Sequence, residues 1–108
     1  MNKAYLVLTA FLSVCSFTIA SELENARFYL ESGKTEISIR NFKMGMHNCK
    51  KGIENISAKY INELVIDDTV QKYVIAEYHE KNRELEIASN LYCNILSSRI
   101  GIYESNSK

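Results

Sequence analysis

The most constraining feature of this sequence is an apolar stripe within residues 36–64. Its members recur alternately every three and four residues: Ile39, Phe42, Met46, Cys49, Ile53, Ile56 and Tyr60. This spacing is typical of one face of an α-helix that packs along a partner helix. The opposite face carries charged side chains, among them Lys43 and Lys51, which can remain in water. We therefore predict a long central helix over about residues 36–66, with Cys49 facing the element that packs on it.

Two glycines interrupt this predicted helix. Gly45 and Gly52 lie on one shoulder of the stripe, and a glycine costs a helix interior about 1 kcal/mol relative to alanine. The absence of a side chain lets a second helix backbone approach closely, which would compensate for that cost. We therefore expect a close helix–helix contact on this shoulder.

The first 20 residues have the pattern of a secretory signal peptide. One early lysine is followed by an apolar run without acidic residues, which ends at the small residue Ala20. We expect cleavage after Ala20, which leaves residues 21–108 as a single domain without a stable membrane anchor. Two alternatives stay open: a retained anchor, because the run approaches the length that spans a bilayer, and a lipoprotein acylated on Cys15.

Cleavage at that point leaves an even pair of cysteines, Cys49 and Cys93. Two cysteines in an exported chain predict a disulfide, and closing so long a loop stabilises a fold by on the order of 4 kcal/mol in chain-entropy terms. A domain of this size has a limited core and often needs such a covalent link. The alternative is two separate buried thiols.

Two further helical segments flank the central one. Residues 22–32 predict a short N-terminal helix that ends at Gly33, with Thr35 as the cap of the central helix. Residues 69–103 predict a C-terminal arm with helical spacing of its apolar residues. Residues 36–40 also alternate like a strand, but no other strand candidate is present to pair with them. The fold class is therefore all-α: a small helical bundle stapled by a disulfide.

The disulfide constrains how the arm lies on the central helix. The apolar stripe of the arm opens with three residues: Val70, Val74 and Tyr78. It resumes after a polar gap at residues 79–84. A straight hairpin that turns at residues 67–68 would leave the two cysteines roughly 10 Å out of register, further than a disulfide spans. We therefore expect the arm to bend or break near residues 80–82, with a short middle helix before the last one.

The formal net charge is +0, but basic residues dominate residues 34–60 and acidic residues dominate residues 61–86. Antiparallel helices of opposite charge attract each other, so packing explains this split as well as an external partner does. A basic strip on the central helix could still bind an acidic protein, and tyrosine is favoured in recognition surfaces. The candidate partner-binding residues are Tyr29, Arg40, Lys43, Lys50, Lys51 and Tyr73.

No motif in this sequence indicates catalysis, a cofactor or a metal. The chain has no glycine-rich phosphate loop, no HExxH, no GxSxG and no CxxC. His47 and His79 fall on predicted polar faces, where solvated histidine is the expected state. We therefore expect no enzyme, no cofactor and no metal site. Nucleic acid is not expected as a partner, because no aromatic set for stacking on bases is interleaved with the basic residues.

The richness in lysine, asparagine and isoleucine is typical of an AT-rich Gram-negative genome, which would place the protein in the periplasm or outside the cell, where disulfides form. Two hypotheses of function follow. The first is an immunity or inhibitor protein that neutralises a toxin or effector, which the chain resembles in size, helicity, export and disulfide. The second is a pilotin- or chaperone-like accessory factor of a secretion, pilus or conjugation system. The sequence leaves homodimerisation as an open alternative. A glycosylation sequon at residues 55–57 would matter only if the chain were a eukaryotic secreted factor.

Overall fold

The structure, a computed structural model, describes residues 22–60 and 67–106 of the chain. Four helices make up 92% of these residues, and none of the described residues lies in a strand. We number the helices in chain order: α1 over 22–38, α2 over Phe42–Tyr60, α3 over Asp67–Lys81 and α4 over Leu85–Asn106. The predicted all-α bundle is confirmed, and so is the disulfide, which joins Cys49 and Cys93 with their Cα atoms 5.0 Å apart.

The first turn within the described residues lies later than the sequence predicts. Gly33, which we expected to end the N-terminal helix, is buried inside α1, and the turn comes only at residues 39–41. Thr35, the expected cap, instead donates a hydrogen bond from its hydroxyl to the carbonyl of Glu31, at 2.8 Å. Such back-bonding is compatible with a helix interior. Local propensity is readily overridden by tertiary contacts, and the packing of Gly33 against α2 overrides it here.

The central helix consequently begins at Phe42 rather than near residue 36. The predicted stripe is buried from Met46 through Cys49 and Ile53 to Ile56. Ile39, which we expected at the start of the stripe, lies in the turn and is 67% exposed. The stripe prediction is therefore right from Met46 to Ile56 and wrong at Ile39, whereas Phe42 is half-buried and the side chain of Tyr60 lies outside the described residues.

Both helical turns that the structure describes use the same backbone arrangement. Arg40 in the first turn and Arg83 in the second have left-handed φ angles of 65° and 61°. In each turn the amide of the arginine donates to the carbonyl three residues earlier, at 2.9 and 3.0 Å. The next amide donates to the carbonyl five residues before it, at 2.8 and 2.9 Å. This is the Schellman arrangement, and the second turn, between Lys81 and Leu85, confirms the predicted break in the C-terminal arm.

The helices α2 and α4 run parallel to each other. Cys49 is bonded to Cys93, and a Cβ atom added at Gly52, one helical turn later, would overlap Leu96, one turn after Cys93. The helix α1 runs the opposite way, because Arg27 near its start pairs with Glu104 near the end of α4 at 2.8 Å. The register conflict between a hairpin and the disulfide is thereby resolved: α3 carries the chain back before α4 begins.

The core lies between α2 and α4 and is closed by α1 and α3. Its buried apolar members are Ala26, Leu30, Met46, Cys49, Ile53, Ile56, Ala76, Ala88, Tyr92, Cys93, Ile95, Leu96, Ile100 and Tyr103.

The predicted apolar stripe of the C-terminal arm is wrong on α3, where Val70, Val74 and Tyr78 face solvent and are 45%, 59% and 63% exposed. Apolar residues occur on two sides of this helix, so helical spacing alone did not indicate which side packs inward.

The helix α1 crosses α2 at two glycines. A Cβ atom added at Gly33 would lie 3.1 Å from the carbonyl oxygen of Gly45, and one added at Gly45 would lie 3.0 Å from that of Gly33. The Cβ at Gly33 would also overlap the Sγ atom of Cys49. The close contact expected on the glycine shoulder of the central helix is therefore confirmed, with α1 as the helix that approaches.

Among the described residues, no helix is long and apolar enough to cross a membrane. The predicted signal peptide over residues 1–20, with Cys15, lies outside the described residues, as does the predicted end of the central helix near residue 66. These stay predictions.

Candidate protein-binding surface

One carboxylate joins three helices beside the disulfide. Lys50 of α2 places its Nζ atom 3.1 and 3.3 Å from the two carboxylate oxygens of Glu80 on α3. Tyr92 of α4 donates its hydroxyl proton to the same carboxylate at 2.7 Å. Lys50 and Tyr92 are the direct neighbours of the bonded cysteines in sequence. The disulfide therefore holds together the backbone segments that carry the two donors, and Glu80 bridges their side chains.

The environment of this polar cluster keeps the carboxylate charged and the phenol neutral. Burial alone would raise the pKa of Glu80, but the hydrogen bonds from Tyr92 and Lys50 and the charge of Lys50 outweigh burial and lower that pKa. Burial, followed by the hydrogen bond to Glu80, raises the pKa of Tyr92 well above its ordinary value. Tyr73 packs edge-on against Tyr92, with ring centroids 5.3 Å apart, and its pKa is raised chiefly by burial.

A shallow groove of about 300 Å³ opens on the outer face of α2 next to this cluster. We call it the basic groove, and its lining residues are Lys43, Met46, His47, Lys50, Lys51, Glu54 and Glu80. The α2 residues in this set recur at helical spacing, which places them on one face. Met46 is 9% exposed and belongs to the core, so the groove has an apolar floor with charged walls.

The charges of the basic groove are only partly neutralised within the chain. Lys50 is paired with Glu80, and its position is therefore restricted. Lys43 and Lys51 are exposed, and neither forms an ion pair with any residue that the structure describes. Glu54 contributes one opposing charge to the lining. The groove consequently presents two available ammonium groups beside a third that is held in place.

The structure brings together three of the six candidate partner-binding residues, namely Lys43, Lys50 and Lys51. Arg40 lies in the first turn, with its guanidinium carbon 5.7 Å from the ring centroid of Phe42, and it does not line the basic groove. The two tyrosines are half-buried rather than free on a surface.

Each tyrosine is engaged within the bundle. Tyr29 contacts Phe28 edge-on, with ring centroids 5.8 Å apart, and packs beside Gly52. Tyr73 packs on Tyr92. Sequence reasoning missed Glu80 as the partner of Lys50, because a contact between residues far apart in sequence has no local signal.

No group of three His, Cys, Asp or Glu side chains within residues 22–60 and 67–106 is placed to hold a metal ion. The fold and surface define the chain as a small disulfide-stapled helical bundle with a basic groove. No family model matches it, and neither a curated protein nor a solved structure matches it significantly.

Proposed function

We propose that this chain is an exported binding protein that neutralises a toxin or effector by direct contact, as immunity and inhibitor proteins do. The observation that carries the proposal is the pair of available ammonium groups, Lys43 and Lys51, on a helix held by the disulfide. The partner would present an acidic surface segment to the basic groove. Disulfides persist in oxidising compartments, so the proposed location is the periplasm or the extracellular medium.

The arrangement of the basic groove supports binding to a protein in two ways. Exposed charges of one sign attract a complementary partner and accelerate association. The backbone of α2 is held by the disulfide and by Lys50–Glu80 pairing, so little conformational freedom is lost when a partner binds. An inhibitor benefits from both effects, because it has to capture its target before the target acts.

The first test is capture of the partner from extracts of the exporting cells. We expect the wild-type protein to retain a partner that the charge-reversed variant K43E/K51E does not retain. The control variant K34E/K72E has the same change in net charge, and its two lysines are exposed and lie outside the basic groove. The measured quantity is the dissociation constant, which rises about tenfold for each 1.4 kcal/mol of attraction that is lost. Equal retention by all three proteins would overturn the assignment of the groove.

The second test asks what the captured protein does. We expect its export into the periplasm to stop growth, and co-export of the wild-type chain, but not of K43E/K51E, to restore growth. A captured component of secretion, pilus or conjugation machinery that is harmless on its own would favour the accessory-factor hypothesis instead. Loss of that machinery on deletion of the gene would then overturn the inhibitor proposal.

A further inference from the structure

The basic groove contains a histidine between its two available lysines. His47 lies four residues after Lys43 and four residues before Lys51, so the three side chains follow one another along α2 at intervals of about 6 Å. All three are exposed. The imidazole ring of His47 forms no hydrogen bond or ion pair with any residue that the structure describes. The ring is therefore available to contact a bound partner.

Protonation of His47 changes the charge of this groove substantially. Histidine is the side chain whose charge ordinarily changes between about pH 5 and pH 8. Three lysines and two glutamates line the groove and leave it one positive charge, which a protonated His47 doubles. None of the described residues of α1 or α4 lines the groove. The charged groups that share the groove with His47 are Lys43, Lys50, Lys51 and Glu54 of α2 and Glu80 of α3.

The groove already accommodates one carboxylate. Lys50 holds the carboxylate of Glu80 at 3.1 and 3.3 Å, and its Nζ atom also lies 5.2 Å from the ring centroid of Tyr92. The row of Lys43, His47 and Lys51 has no such internal carboxylate among the described residues. Acidic side chains on one side of an extended or helical segment recur every 6–7 Å or so, which matches the spacing of this row.

We propose that the basic groove binds a run of carboxylates and takes up a proton at His47, so that binding strengthens as the pH falls from about 7.5 to 5.5. The inference rests on the proposed function, because it names the ligand chemistry and the regulation of the same groove. An opposite charge within about 4–6 Å favours the charged form of a group. A partner carboxylate against His47 therefore favours the protonated ring, and by linkage a supply of protons favours the complex.

Binding of an oligo-aspartate peptide at low ionic strength tests this chemistry without the natural partner. We expect the dissociation constant of the wild-type protein to fall by about two- to fivefold from pH 7.5 to pH 5.5, the contribution of one exposed ion pair. The peptide stays ionised over this range because aspartate has an ordinary pKa of about 3.9. Glu80 also stays charged, since its pKa is lowered. Calorimetry in two buffers of different ionisation enthalpy should show proton uptake on binding.

The two histidines of the chain provide a matched pair of variants. H47Q should bind the peptide with an affinity that hardly changes with pH and without proton uptake. H79Q should behave as the wild type, because His79 is paired with Glu84 at 3.1 Å and does not line the groove. Helical content by circular dichroism checks that both variants are folded. An equal pH dependence in H47Q and the wild type, or no binding of the peptide to the wild type, would overturn the proposal.

This inference and the proposed function fail in distinguishable ways. If a toxin is captured through Lys43 and Lys51 but peptide binding does not depend on His47, the proton uptake is refuted and the proposed function stands. If peptide binding depends on His47 while capture and growth do not depend on the two lysines, the proposed function is refuted and the chemistry of the groove stands. Tighter binding of single-stranded DNA with the same number of charges would assign the groove to phosphates and overturn the choice of carboxylates.

Discussion

The two helical hairpins of this bundle, α1–α2 and α3–α4, reverse the chain in the same way but are held by different chemistry. Each turns at a left-handed arginine. Counting outward from that arginine, small buried residues occupy equivalent positions: Gly33 and Gly45 in the first hairpin, Ala76 and Ala88 in the second. The turn is therefore repeated, and the small residues at these equivalent positions differ by one methyl group.

The disulfide lies beside the first of these small residues. In the first hairpin, a Cβ atom at Gly33 would overlap Cys49 and would lie 3.2 Å from the Sγ atom of Cys93. The glycine pair therefore provides the space that the two sulfur atoms fill. In the second hairpin the corresponding space holds alanine, and the neighbouring contact is the polar cluster of Lys50, Glu80 and Tyr92. We conclude that the contact of the first hairpin with α4, where the disulfide joins α2 to α4, is sensitive to side-chain volume and to reduction. The contact of α3 with α2 and α4 is sensitive to pH.

Removal of the disulfide should have the largest effect. We expect C49A/C93A to lower the free energy of unfolding by about 2–5 kcal/mol, the usual range for small secreted domains, while helical content at low temperature is largely retained. Chemical denaturation followed by circular dichroism measures this loss. A thiol count on the denatured, unreduced protein should give no free thiol from Cys49 or Cys93, and two free thiols in the mature chain would contradict the staple itself.

Addition of one methyl group at the first crossing should have the next largest effect. We expect G33A to lower the free energy of unfolding by about 1–3 kcal/mol, the usual cost of overpacking, because its Cβ meets the disulfide. The control is G101A: a Cβ atom there has no neighbour within 4 Å, so this variant should be more stable by up to about 1 kcal/mol.

A double-mutant cycle links the two effects. In the C49A/C93A background the sulfur atoms are gone, so the cost of G33A should be smaller than in the wild type. An unchanged cost would show that the contact between Gly33 and Gly45, rather than the disulfide, excludes the methyl group. The measurement is the same denaturation experiment on four proteins.

The second hairpin should respond to pH through Glu80. Because the folded-state pKa of Glu80 is lowered, the folded form binds fewer protons than the unfolded form near that range. The contribution of this carboxylate to stability is therefore present above its unfolded pKa and is lost as pH falls through the folded pKa. We expect E80Q to cost about 1–3 kcal/mol near neutral pH and to weaken the dependence of stability on pH in the acid range. The matched variant E31Q, at an exposed site on α1, should leave the free energy of unfolding and its dependence on pH nearly unchanged.

The sequence predicted what depends on local spacing and missed what depends on long-range contacts. The stripe from Met46 to Ile56 and the disulfide follow from periodicity and cysteine count. The position of Gly33 inside α1 does not, because its reason is a crossing with Gly45 on another helix. The correspondence of the two hairpins was missed as well, because equivalent crossing positions share small size rather than identity.

The candidate site was likewise predicted where it depends on local spacing and missed where it depends on long-range contacts. Helical spacing placed Lys43, Lys50 and Lys51 on one face of α2, and the structure keeps them together in the basic groove. Helical spacing did not indicate that Glu80 pairs with Lys50, or that Tyr73 faces the core while Val74 faces solvent. Residues on both sides of α3 are apolar, so its orientation depends on contacts between helices, such as that of Tyr73 with Tyr92.

The two arginines at the turns should give the smallest effects, and they test whether the hairpins share one backbone arrangement. A left-handed conformation costs a residue with a side chain roughly 1–2 kcal/mol, and glycine avoids that cost but gains freedom in the unfolded chain. We therefore expect R83G to be more stable than the wild type by up to about 1 kcal/mol. The gain of R40G should be smaller, because this variant also loses the contact between Arg40 and Phe42, worth about 0.5 kcal/mol at an exposed site. Thermal denaturation of both variants measures the difference, and destabilisation by R83G would mean that the two turns are not equivalent.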